Sequence, residues 1–286
     1  MISARILRRR IKSVQSIAKI CRAMEMIATV KLKRTQDQAQ AGRPYTDAIT
    51  RVIGDLAART KMSLATPPLL QKREVSKITL VHIASDRGLC GGLNANLNRM
   101  VAKFILEHKS TPVSVITVGR RGRAFARYSG LKIRDSFQGI SDQPTLRDTL
   151  PISRLIIDEF TRNETDQVIL AYPEFVSIMH QKPTMAVILP VEPAPVTALA
   201  GDYIYEPDAT TVLDELLPRF VEMRVYHAIL ELIASEQASR MVAMRNASDN
   251  ARDVIEGLAL TLNKVRQETI TKEICDITGG AELLNK

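Results

Sequence analysis

The residues of this chain best suited to chemistry gather between positions 83 and 94, IASDRGLCGGLN, where Ser85, Asp86 and Cys90 stand among Gly88, Gly91 and Gly92. A phosphate cradle needs glycines that let backbone N–H groups approach an anion at a helix N-terminus, with a lysine or a ribose-binding carboxylate at hand. The order here is GxxGG, followed by Leu93 and Asn94. A dinucleotide fold uses GxGxxG, and a P-loop uses GxxxxGK followed by Ser or Thr, so neither template fits. Glycines that shape a strand-to-helix turn are the favoured reading, and nucleotide binding is the minor one. Ser85 and Asp86 with a distant His could form a triad, yet GxSxG is absent, and such a pair before a glycine turn suits helix entry or an Asx turn. His82, His108, His180 and His227 are isolated from one another and from Cys21, Cys90 and Cys275. That spacing suggests neither a zinc site nor a Cys–His nucleophile. Asp135, Asp142, Asp148, Asp158 and Glu159 offer carboxylates without a paired spacing. The expectation is a chain that is not an enzyme by itself and holds no cofactor or metal.

The elements that position this turn follow from hydrophobic periodicity. KITLVHIA, 77–84, is rich in β-branched residues and predicts a buried strand, and Leu97, Val101, Phe104 and Ile105 lie at helical spacing after the turn. Further strands are expected at 113–118, 131–137, 168–172 and 184–189, with helices at 94–108, 120–128 and about 145–162. Such alternation predicts a mostly parallel α/β layer over 75–195, left through the proline-rich PVEPAP of 190–195.

Both ends of the chain carry a different pattern. Val14, Ile17, Cys21, Met24 and Ala28 step by three and four, the coiled-coil period, in a helix expected to run over residues 1–58 with a disturbance at Gly42 and Pro44. In residues 208–286, Ile255, Leu258, Leu262, Val265 and Thr269 form one seam. Ile270, Ile274, Ile277, Ala281 and Leu284 continue it, shifted by one residue. Helices of about 85 and 100 Å cannot bury such stripes alone, so winding the two termini around each other, antiparallel, is the economical solution. Between Ser235 and Asp253 the bulky seam thins to Ala, Ser and Met with Arg240 and Arg245 interleaved, a pattern that calls for surrounding partners.

Charge placement narrows the partners. Residues 1 to 35 hold ten bases and one acid, Glu25, against a net charge of +9 for the whole chain, so the remainder balances. A helix so one-sided faces something anionic: nucleic acid, anionic lipid or acidic protein loops. The basic, acid-free first 24 residues mimic a mitochondrial targeting helix, but the amphipathic pattern runs on past them without a cleavage-like break and is expected to belong to the mature protein. No apolar stretch approaches 18 residues, so no membrane span is expected. Three scattered cysteines fit a reducing compartment.

Taken together, RRRIKSVQSIAKICRAMEMIATVKLKR, SDRGLCGGLN, YIYEPD and ASEQASRMVAMRNASDNARDVI with LNKVRQETITKEICDITGG resemble, in order, the motifs of the gamma subunit of F-type, proton-translocating ATP synthase. The resemblance spans the chain and is weakest between about 120 and 165. It implies a long antiparallel coiled coil of the N- and C-terminal helices with a central Rossmann-like α/β domain, acting as a rotor shaft inside a ring of three alpha and three beta subunits. Proton flow through a membrane ring would turn it and drive the catalytic beta subunits through their states.

The resemblance also implies contacts. Met24, Arg240, Arg266, Gln267, Thr271, Glu273, Ile274 and Ile277 would meet the catalytic ring, and Tyr203 and Glu206 would meet the membrane c-subunit ring, with the epsilon subunit as a further partner. It implies a peripheral place on the cytoplasmic side of a bacterial inner membrane rather than the mitochondrial matrix side, no direct membrane insertion, no nucleic acid and no nucleotide at the glycine turn. Cys21 departs from the hydroxyl or small residue expected in the seam, and no cysteine-paired regulatory insertion is present. Two other classes remain from the residues alone: a basic coiled coil that binds nucleic acid, and a small-molecule transferase using the GLCGG turn.

Overall fold

A computed structural model describes residues 4–60, 67–192, 206 and 208–284. In chain order it contains α1 (Ala4–Thr60), a 3-10 turn (Pro68–Leu70), β1 (Ile78–Ile83), α2 (Leu93–Glu107), β2 (Val113–Val118), α3 (Arg120–Tyr128), β3 (Ile133–Phe137), α4 (Leu146–Thr161), β4 (Gln167–Phe175), β5 (Gln181–Leu189) and α5 (Ala209–Leu284). The five strands lie in the order β3-β2-β1-β4-β5, all parallel except β5, which pairs antiparallel with β4. Every residue of β1 is buried, as a central parallel strand covered on both faces requires. Pro44 lies inside α1 and Pro218 inside α5, and both helices continue past them.

Compactness divides the chain into two units, residues 28–240 and residues 1–27 with 241–286. In the larger unit, one sheet face packs Ile78, Leu80 and Ile169 against Leu97 and Val101 of α2, with Phe125 of α3 beside them. The opposite face packs Val81, Ile83, Ile116 and Leu170 against Ile152, Ile156 and Phe160 of α4. The same core takes in Ile49, Ile53 and Leu56 of α1 with Leu213, Leu217 and Val221 of α5. Farther along, Leu32 clusters with Ala234 and Ala238. Later residues of α1 thus meet earlier residues of α5, so the two run antiparallel within this unit, and the small alanines let them approach.

In the smaller unit, residues of α1 at least partly covered are Ala4, Leu7, Ile11, Val14, Ala18, Cys21, Met24 and Glu25, whose steps of three and four make a heptad seam widened at Met24 and Glu25. The expected seam had Ile17; it faces outward and Ala18 takes its place, because the seam is in phase with Leu7 rather than with the bulkier side chain. On α5 the matching positions are Ala251, Ile255, Leu258, Leu262 and Val265. Glu25 accepts a hydrogen bond from Arg245 at 2.8 Å. Leu7, 1% exposed, can be covered in this unit only by residues beyond Arg245, so these helices are antiparallel too. Counting from the Glu25–Arg245 pair at equal rise, Ala4 lies level with Arg266. Residues 266–278 are all exposed, and Thr269 leaves the expected seam because no described residue of α1 lies opposite it.

Candidate functional site

The glycine turn is held from two sides. Ser85 Oγ donates to the carbonyl of Arg87 (2.7 Å) and accepts from Asn94 Nδ2 (2.8 Å) in the first turn of α2. Asp86 points the other way and accepts from the backbone N–H of Arg120 (2.9 Å), at the head of α3, and of Gly139 (3.0 Å). The Ser–Asp pair is therefore a helix-entry device, although the helix that Asp86 caps is α3 rather than α2. That carboxylate occupies the electropositive helix end where a phosphate would otherwise sit. Leu89 and Gly91 adopt positive φ (62° and 55°), so the loop closes through the left-handed region that favours glycine.

The loop's carbonyls face α5. Ser239 Oγ donates to the Cys90 carbonyl (2.6 Å) and Arg240 Nη2 to the Gly88 carbonyl (3.2 Å), while Ser235 Oγ donates to Pro173 of β4 (3.0 Å). The φ of Gly91 favours glycine, and a Cβ there would also sit 3.3 Å from Ser239 Oγ, a tight contact against the clamp. Arg240 also donates to Glu236 and to Gln237, and the Arg240 and Glu236 side chains are each 9% exposed. Burial raises the Glu236 carboxyl above the usual range, and the Arg240 guanidinium opposes that shift. The polar stretch that called for surrounding partners finds them, over 235–240, in its own chain. Arg240, expected among ring contacts, is engaged internally. The clamp residues Ser235, Glu236 and Ser239 were not singled out from sequence, and their only signal is that Ser235 and Ser239, one helical turn apart, stand where the apolar seam thins.

A cleft of about 450 Å³ opens at the carboxyl ends of β1 and β2, where open α/β sheets bind ligands. Several of its charges are paired, Lys31 and Arg87 with Asp142, Asp86 with the head of α3, and Glu236 with Arg240, while Arg34 and Arg120 also line it. Among the described residues no three His, Cys, Asp or Glu converge as metal ligands.

The remaining candidates lie at the far end of α5. Arg266, Glu273 and Ile277 fall with Ile270 on one strip, and Gln267, Thr271 and Ile274 on the next, all exposed, Ile277 to 71%. Met24 is half-buried on α1, and Glu206 is exposed. Tyr203 lies outside the described residues. The structure thus gathers the six α5 residues on one helix end and leaves Arg240 elsewhere.

A family model described as ATP synthase matches residues 3–284. The ATP synthase gamma chain of Dehalococcoides mccartyi is 53% identical over 285 residues, covering 99% of this chain and 100% of the relative. The chain belongs to the ATP synthase gamma-chain family. The Chloroflexus aurantiacus gamma chain is 41% identical over 288 residues and covers 99% of both chains. Among solved structures, a chain of the Euglena gracilis mitochondrial ATP synthase, OSCP/F1/c-ring, superposes with a TM-score of 0.68 at 19% identity, covering 98% of this chain and 94% of that one. A chain of the Tetrahymena thermophila mitochondrial ATP synthase central stalk/c-ring does so at 0.63 and 24%, covering 80% and 99%. At these identities the two structures establish that the gamma-chain fold is shared.

Proposed function

We propose that this gamma chain is the central rotor shaft of an F-type ATP synthase, coupling rotation of a membrane ring to sequential conformational change in the catalytic beta subunits. The observation that carries the reading is the end of α5, where exposed Ile270, Ile274 and Ile277 alternate with Arg266, Gln267, Thr271 and Glu273 on a helix that has left its partner. An apolar strip of this kind is a liability in water and a bearing inside a sleeve. Three alpha and three beta subunits would form that sleeve, and acidic loops on them would meet the basic first helix around Met24. Polar side chains on a turning helix can hold a catalytic loop in one orientation and release it in another, and only such differential contact shifts a conformational equilibrium.

In this reading the chain is non-catalytic, and Arg240 with Ser239 clamps the shaft helix to the α/β domain, so that torque entering one reaches the other. Tyr203 and Glu206 would form the foot against the c-ring, with the epsilon subunit beside the domain. No described helix is long and apolar enough to cross a membrane. The bacterial relatives favour a peripheral place on the cytoplasmic side of a bacterial inner membrane.

Replacing Arg266 and Gln267 together with alanine tests the reading, because alanine preserves the helix while removing a charge and an amide. Membranes carrying the variant should lose coupled ATP synthesis, or the ring should fail to hold together. Full synthesis at normal levels of assembled complex would show that these side chains grip nothing.

A further inference from the structure

The loop between β3 and α4, residues 138–145, is pinned at both ends inside the α/β layer. At its start the backbone N–H of Gly139 donates to Asp86 at 3.0 Å, which joins the loop to the glycine turn. At its end Thr145 caps α4. The Thr145 backbone N–H and hydroxyl both donate to Asp148, at 2.7 and 2.9 Å, and these bonds hold the Asp148 carboxyl below the usual carboxylate range. Connecting loops ordinarily run over the surface, yet here Pro144 is buried and Asp142 half-buried.

Both long helices lie on it. Lys31 of α1 pairs with Asp142, and Arg87 of the glycine turn approaches the same carboxylate at 4.0 Å. About two helical turns farther along α1, Gln38 Nε2 donates to the Pro144 carbonyl at 2.8 Å and to the Tyr226 hydroxyl of α5 at 2.7 Å. Tyr226 in turn donates to the same carbonyl at 3.4 Å. The two helices and the domain thus meet in a closed ring of hydrogen bonds around one backbone oxygen, and all of these residues belong to the larger unit. Hydrogen bonds that share partners reinforce one another, and a buried carbonyl stripped of its donors is costly, so the ring resists opening.

We infer that the β3–α4 loop is the joint that holds α1 in position against the α/β domain under torque, with Lys31, Gln38, Asp142 and Tyr226 as its positioning residues. The inference rests on the rotor reading. The clamp at Ser239 and Arg240 grips α5 alone, and a helix pair held through one member can still turn about it, carrying the other around. The joint removes that freedom, because α1 and α5 grip the same carbonyl. Its second anchor on α5, Tyr226, lies about 20 Å from the clamp, a spacing that also resists tilting. The apolar packing of Ile49, Ile53 and Leu56 in the shared core is non-directional and opposes separation more than sliding. Hydrogen bonds weaken steeply with angle and distance, so they oppose the sliding itself.

The test uses the assembled complex in inverted membrane vesicles and compares ATP hydrolysis with ATP-driven proton pumping, followed by quenching of a pH-sensitive dye. One variant carries Gln38→Leu with Tyr226→Phe, which removes the ring and keeps side-chain size. A second carries Asp142→Asn, and Asp142→Glu, which retains the carboxylate, is the conservative control. Hydrolysis per assembled complex should stay within about twofold of the parent, while protons pumped per ATP should fall about fivefold in the first two variants. Asp142→Glu should recover most of the pumping. A role in packing alone would lower both activities together with the amount of complex and leave their ratio untouched. An unchanged ratio in both variants therefore overturns the inference while the rotor reading stands. A parent chain whose complex hydrolyses ATP without pumping would instead overturn the rotor reading, and the joint's role with it.

Discussion

Arg240 and Glu236 form an ion pair buried on both sides, the arrangement in which losing one member leaves an uncompensated charge away from water. Arg240→Ala should lower the unfolding free energy by about 3 kcal/mol, read as a shift in urea midpoint, and adding Glu236→Gln should recover part of it. His82 makes a second case. Its ring lies edge-on to Phe125 at 5.7 Å, neither nitrogen has a hydrogen-bond partner, and burial pushes its pKa down from 6.5 to about 4. The unfolded chain takes up this proton below pH 6.5 while the folded chain resists it until about 4. Stability from this residue is therefore complete above 6.5 and falls as pH drops towards 4. His82→Leu should flatten that acid slope in urea titrations between those pH values, by on the order of 3 kcal/mol in all. The sequence marks Arg240 as unusual in a helix but does not show what it faces, and Ser239 beside it draws no notice. Their partners are backbone carbonyls some 150 positions away, and a carbonyl has no sequence signature.

At the scale of elements, periodicity was enough to place all five strands and the helices between them, because buried parallel strands are runs of β-branched residues that few other structures need. The phase of the coiled-coil seam was harder. Ile17 and Ala18 are neighbours, and hydrophobicity alone prefers the isoleucine. Only the chain's start, with Leu7 buried, sets the register. The unaccompanied end of α5 carries exposed Cys275, whereas Cys21 and Cys90 are buried and burial raises the Cys90 thiol. Maleimide should therefore modify Cys275 first in the isolated chain and reach the other two only on unfolding. In complex with alpha and beta subunits the same thiol should become protected, as mass spectrometry of time-quenched samples would show. Unchanged labelling in the complex would place this end of α5 outside any sleeve.

Across the whole molecule, the total charge was the least informative quantity. Balancing acids against bases outside the first 35 residues hid a basic run over residues 93 to 134, nine Lys and Arg with one acid, Glu107; of these Arg134, on β3, pairs with Glu159 and Glu164 farther along the chain. The division into residues 28–240 and the remainder was also not legible, since periodicity shows where a helix runs and not where along it the neighbours change. The glycine turn, by contrast, joins β1 to α2 with Gly91 at positive φ, the strand-to-helix role that its order suggests. Its structural counterpart is Asp86, seated on the head of α3. A subunit of a machine that handles adenine nucleotides works in a solution crowded with its own enzyme's substrate and product, and a sheet of this topology would ordinarily be a competitor for both. The Asp86 carboxylate accepts from the backbone N–H groups of Arg120 and Gly139, so these two donors are already engaged. In the rotor reading, that prior claim on the donors would leave the shaft deaf to nucleotide concentration, so calorimetry of the isolated chain with ATP should show no binding.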